Sequence, residues 1–150
     1  MFVLKRIGFC LLVSLLMPSA LLAAEQKPII GYVMKVQGEA FVQANGQLQP
    51  AVVGTPLHRG SLLKTGPTGS MGVTLEDSTV MSVGPESELT IDAYAFEPSQ
   101  DSLQLSARIT RGTLNYISGI IAKLKPEAVQ INTPTGTIGV RGTRFLVKVS

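Results

Sequence analysis

The chain has 150 residues, with thirteen Lys or Arg against ten Asp or Glu, fifteen glycines, nine prolines, one histidine, one cysteine and no tryptophan. That length suits one domain able to bury a core, and turn signals recurring at about every 8–12 residues favour an all-β protein. One histidine and scattered carboxylates give no zinc-ligand spacing, and the dispersed basic residues exclude a nucleic-acid footprint.

Residues 1–24 read as a signal peptide and lie outside the fold. Lys5 and Arg6 form a charged start, residues 7–17 are an apolar run, Pro18 breaks it, and small residues lead to a cleavage site between Ala24 and Glu25. The competing reading is an uncleaved anchor, because the apolar stretch approaches the ~20 residues of a membrane span; this would be the chain's one route to a membrane. Cys10 lacks the small preceding residue of a lipoprotein acceptor. Cleavage removes Lys5, Arg6 and Cys10, leaving eleven basic against ten acidic residues. The precursor's positive charge therefore says little about partners, and a cysteine-free domain of residues 25–150 fits the periplasm.

Along that domain, Ile30, Tyr32, Met34 and Val36 alternate on a first strand, and Ala40, Val42 and Ala44 on a second. Asn45-Gly46 predicts a type I′ hairpin, with a return strand over 48–53 made irregular by Pro50. Residues 54–56 turn, residues 60–65 form a short strand, and Gly66-Pro67-Thr68-Gly69 closes it. Met71, Val73 and Leu75 mark a half-buried strand, followed by a polar turn at Glu76-Asp77-Ser78. Strands follow over 79–83 and around Leu89, Ile91 and Ala93, with a loop over 97–101. Leu103, Leu105, Ala107 and Ile109 give the longest alternation, and Gly112 leads on to Leu114 and Tyr116.

Ile117, Ile120, Ile121 and Leu124 instead fall at helical spacing. They predict one short helix near 118–125, N-capped by Ser118 and ended by Pro126. After a strand at Val129 and Ile131 comes a long terminal strand whose phase changes: Ile138 and Val140 share one face, but Phe145, Val147 and Val149 fall on odd positions. Both sets face one core only if a residue is inserted, and Gly142 is the natural site of a β-bulge. Such a bulge turns Arg141 and Arg144 off the core face. About ten short strands and one helix result, in a sandwich-like or solenoid-like arrangement.

Catalysis finds little support. Ser61, His58 and Asp77 could be imagined as a triad, but an exposed loop histidine is the simpler reading. The mature chain has no thiol nucleophile. The carboxylates Glu76, Asp77, Glu86, Glu88 and Asp92 lack calcium-loop spacing, and Gly66, Gly69 and Gly72 lead into a strand rather than a phosphate-binding helix. No enzyme, cofactor or metal is expected. Arg141 and Arg144 remain. Arg141 is expected to pair with a buried carboxylate, Asp77 being the candidate. Displayed instead with Gly142, Thr143, Arg144 and Phe145, it would grip a partner's carboxylate or edge strand. Arg144 is expected to be exposed.

The segment Thr133-Pro134 followed by Ile138-Gly139-Val140-Arg141-Gly142-Thr143-Arg144-Phe145 resembles the closing motif of the FecR domain. Residues 31–38, with Val-x-x-Val-x-Gly, agree with the family, as do Lys64-Thr65-Gly66 and Leu75-Glu76-Asp77-Ser78-Thr79. The family often has an acidic residue where Ser61 stands and Asp-Gly-Ser where Asp77-Ser78-Thr79 stands. The resemblance implies an all-β, solenoid-like periplasmic domain, which in founding members relays a signal from an outer-membrane transporter to a cytoplasmic sigma factor. Here residues 1–5 are too few to hold a sigma factor, so a stand-alone exported domain is expected. Its role would be a non-enzymatic interaction module for an envelope protein or cell-wall component. The alternative is a glycan- or peptidoglycan-binding domain relying on aromatics such as Tyr94 or Phe96.

Overall fold

A computed structural model describes residues 27–142 and 144–150. The expected leader and its cleavage site at Ala24 and Glu25 lie outside those residues, as does Thr143. The fold is all-β, with twelve strands and one short α-helix among the described residues. The strands are β1 (Ile29–Gln37), β2 (Ala40–Ala44), β3 (Gln47–Pro50), β4 (Pro56–His58), β5 (Leu62–Thr65), β6 (Ser70–Leu75), β7 (Val80–Val83), β8 (Glu88–Glu97), β9 (Ser102–Ile117), β10 (Val129–Thr133), β11 (Gly136–Gly139) and β12 (Arg144–Val149). The helix, α1, spans Ile120–Leu124.

The sheet is curled into two halves that share β9. One half carries β4, β1, β6, β7 and β12, and the other β3, β2, β5, β8, β10 and β11. All neighbours are antiparallel except β9 and β10. The 16 residues of β9 serve as a spine. Along one side run β7 and then β8, and along the other β12 and then β10.

The chain repeatedly crosses between halves at glycine-bearing corners: Gly38 between β1 and β2, residues 66–69 between β5 and β6, residues 84–87 between β7 and β8, and Gly112 within β9. These corners are hydrogen-bonded to one another. Gly66 N–H donates to Glu39 O (2.9 Å), Thr65 N–H to Ser87 O (3.0 Å), and Gly84 N–H to Thr113 O (3.2 Å). Two buried hydroxyls complete the row. Thr65 Oγ1 donates to Gly84 O (2.6 Å) and accepts from Ser87 N–H (2.9 Å), while Ser87 Oγ accepts from Thr113 N–H (3.0 Å). Buried backbone groups at a bend need such partners.

The inward alternation is as the pattern predicts. Met71, Val73 and Leu75 of β6, Met81 and Val83 of β7, and Leu105, Ala107 and Ile109 of β9 enter one core. Asn45 and Gly46 both have positive φ, +52° and +75°, as the expected hairpin requires. The return strand stops at Pro50, and the loop containing His58 holds the short strand β4.

Two expectations are corrected. The helix is capped by Gly119 rather than Ser118, and it docks Ile121 and Ala122 while Ile120 and Leu124 stay exposed. The long bulged terminal strand is two strands in opposite halves, β11 on β10 and β12 on β9, joined by a crossover with Gly142 at φ +104°. The phase change is real: Val140 and Val147 are both buried. A change of sheet half, rather than an inserted residue, produces it.

Candidate functional site

Two places draw chemistry together, the end of the β6–β7 hairpin and the rim formed by the crossover and β12. At the first, Asp77 is fully buried. Its Oδ1 accepts from Tyr94 Oη (3.0 Å) and Thr79 N–H (3.3 Å), and its Oδ2 accepts from Thr79 Oγ1 (2.7 Å) and Ile121 N–H (3.1 Å). Its N–H donates to Tyr94 Oη (2.9 Å), and its carbonyl accepts from Ile120 N–H (2.8 Å). A helix start leaves N–H groups without intrahelical partners, so Asp77 caps α1 from another part of the chain. Gly119 makes this approach possible, since a Cβ there would collide with Asp77 O and Thr79 N.

The expected Asp77–Arg141 pair is therefore corrected. The Asp77 carboxylate already has four donors, and Arg141 is exposed on the crossover. An uncharged cluster meets the carboxylate without the cost of desolvating a guanidinium. Nor do Ser61, His58 and Asp77 converge. Ser61 Oγ accepts from the backbone N–H of His58 (3.0 Å), and His58 Nδ1 lies 3.1 Å from Pro28 O. Among the described residues no group of three His, Cys, Asp or Glu could hold a metal ion.

Burial, then the neighbouring Asp77 charge, pushes the Tyr94 phenol well above the usual tyrosine range. Burial likewise raises Tyr116, whose hydroxyl is the one buried side-chain polar atom without a hydrogen-bond partner among the described residues. Ser118 and Thr79 partly oppose that rise, although the Ser118 hydroxyl itself donates to Gly142 O (2.9 Å). A raised phenol pKa means the fold holds the proton more tightly than the unfolded chain does. Its contribution is complete below about pH 10 and is lost as pH rises further. The urea midpoint should fall between about pH 9 and about pH 11, and Tyr94→Phe, though weaker at neutral pH, should show a shallower fall. An equally steep fall in the variant would assign the loss elsewhere.

At the rim, Arg141 and Arg144 are both exposed, and Gly142 lies between them on the surface. Phe145 turns inward, half-buried, and stacks on Tyr116 with ring centroids 4.7 Å apart and planes 22° apart, which holds β12 on β9. Leu146 is 72% exposed. It was not singled out from the sequence, although its even position puts it opposite in phase to Phe145 and Val147. The aromatics of the glycan alternative fare differently: Tyr94 is buried against Asp77 and Phe96 is half-buried against the core.

These features define an all-β domain with a buried polar hub and an arginine-bearing rim. A family model described as FecR protein matches residues 61–150, and the chain belongs to that family. No curated protein matches. A solved structure described as a "Cell surface anchoring domain" is 32% identical, with 41% of this chain and 82% of that one covered, at a TM-score of 0.39.

Proposed function

We propose that this protein is a non-enzymatic, envelope-associated interaction module that acts outside the cytoplasm and takes a protein partner at the β12 rim. FecR membership and the signal-like residues 1–24 support the location. One observation carries the mode of action. Among the described strands β12 pairs with β9 alone, and along this one-sided strand Arg144, Leu146 and Lys148 are all exposed. A strand with one unpaired edge and a charged, partly apolar outer row is a surface to which another chain can add. The burial of Tyr94 weighs against the glycan alternative.

Capture from detergent-solubilised envelope, with the chain from Glu25 as bait, tests the reading. A protein retained by the wild type should be lost with Arg144→Glu, while the circular dichroism and melt of the variant match the wild type, because the side chain is exposed. Equal capture by both baits would remove the rim from the mechanism.

A further inference from the structure

Charge is divided unequally between the two halves of the sheet. Lys64 pairs with Glu88 (3.8 Å), Arg111 with Glu88 (3.4 Å) and Arg108 with Asp92 (3.3 Å), all in the half built on β5, β8 and the first part of β9. The other half, β1, β4, β6, β7, β12 and the last part of β9, carries no Asp or Glu in its strands. Its outer face carries Lys35 at one side and Arg144 and Lys148 at the other. In the middle row Leu146 lies opposite Asn115, Asn115 opposite Ser82, Ser82 opposite Gly72, and Gly72 opposite Lys35, while the row from Arg144 runs through Ile117, Val80 and Thr74; none of these residues is acidic. Among the described residues none of these three cations has an ion-pair partner.

Taking the rim as the binding surface, as proposed above, we infer that the partner is an acidic extended segment that adds as a strand to β12, with acidic, apolar and acidic residues opposite Arg144, Leu146 and Lys148. The reasons are geometric and electrostatic. Pairing with β9 uses the backbone groups on one side of β12 and leaves those on the other. Residues opposite one another across strands interact directly, and like charges there are unfavourable. Because Arg144 and Lys148 flank Leu146 symmetrically, the acid–apolar–acid pattern reads the same for an added strand of either direction. The same cations oppose pairing of β12 with β12 of a second copy, so one row both admits an acidic strand and rejects self-association. Beside β12, a cleft of about 520 Å³ lined by Pro134, Ile138, Val147 and Val149 gives room for the added strand's inward side chains.

The test uses the chain from Glu25 and a short synthetic peptide with Glu at i and i+4 and Leu at i+2. Three comparison probes go with it: Lys in place of both Glu, alternate amides N-methylated on the pairing side, and polyphosphate as an anion without a strand. The Glu peptide should bind and protect β12 amides from exchange. The Lys peptide and the Arg144→Ala/Lys148→Ala variant should each weaken binding by roughly tenfold or more, and N-methylation should abolish it. Failure of the Glu peptide, equal binding of the N-methylated form, or full competition by polyphosphate without β12 protection would each overturn strand addition. If Arg144→Glu still abolished envelope capture in that case, the rim would remain the interaction surface and only the nature of the segment would be wrong.

Discussion

Replacing Asp77 by alanine is expected to cost about 3–5 kcal/mol and to lower the melting temperature by roughly 10–20 °C. The carboxylate accepts from two hydroxyls and two backbone N–H groups, all within the interior. Alanine removes the acceptor and leaves the donors. Tyr94 Oη and Thr79 Oγ1 can rotate toward other acceptors, but the N–H groups of Thr79 and Ile121 are fixed by the turn and by α1. The expected loss is therefore below a simple sum over four bonds. Asp77→Asn, with one acceptor oxygen in place of two, should recover part of it. Arg141→Ala is the informative control, because the exposed guanidinium does not reach the cluster. Thermal melts of the three variants decide the matter, and a drop in Arg141→Ala as large as that in Asp77→Ala would restore the ion pair.

Gly112→Ala should be nearly as damaging, at roughly 2–5 kcal/mol. Gly112 bends β9 at φ +91°, where a side chain is strained whatever the space around it, and a Cβ there would strike both Oγ and Cα of Ser87. Removing the hydroxyl with Ser87→Ala would not relieve it, because the backbone carbon stays and Thr113 N–H loses its acceptor. Gly46 separates the two contributions. It also has positive φ, +75°, but a Cβ there meets nothing within 4 Å. Gly46→Ala should cost only about 1–2 kcal/mol. Urea unfolding of both variants gives the difference, and equal losses would mean that the contact with Ser87 is not what limits residue 112.

Much of this was legible in the sequence. Period-two alternation located the inward faces of β6, β7 and β9, and Asn45-Gly46 specified its turn. The phase change between Val140 and Phe145 was read correctly as a single core seen from two registers. It was assigned to a bulge because a one-residue insertion and a change of sheet half leave the same mark on an alternation. The helix cap is hidden for a related reason: local sequence offers Ser118, whereas the acceptor comes from Asp77, 44 residues earlier than Ile121.

The buried polar residues could have been found. Ser61 and Thr65 each stand two positions from Leu63, Asp77 two after Leu75, Thr79 two before Met81, and Ser87 two before Leu89. Each extends an inward-facing alternation by one step. A small polar residue in core phase at a strand end is thus a signal that its side chain serves the backbone of a turn. What periodicity could not supply was which turn, since that depends on how the corners stack. The uneven distribution of charge was equally hidden, because acidic and basic residues intermingle along the chain, and the acids within strands prove confined to one half only once each strand is assigned to its half.

The spine arrangement also orders how the domain comes apart. The run from β5 to β9 links segments close in sequence, with β6 on β7 and then β7 and β8 in turn on β9, so these ladders close over short loops. By contrast, β12, like β3, β4 and β11, rests on a single ladder. When it lifts away, β9 keeps β7 as its neighbour, and what is given up is the β12–β9 ladder, the burial of Val147 and the stacking of Phe145 on Tyr116. Release of the terminal strand is thus a small, self-contained opening event, separable from global unfolding. The outer row that a partner would meet therefore sits on a segment that can open locally while the spine stays paired.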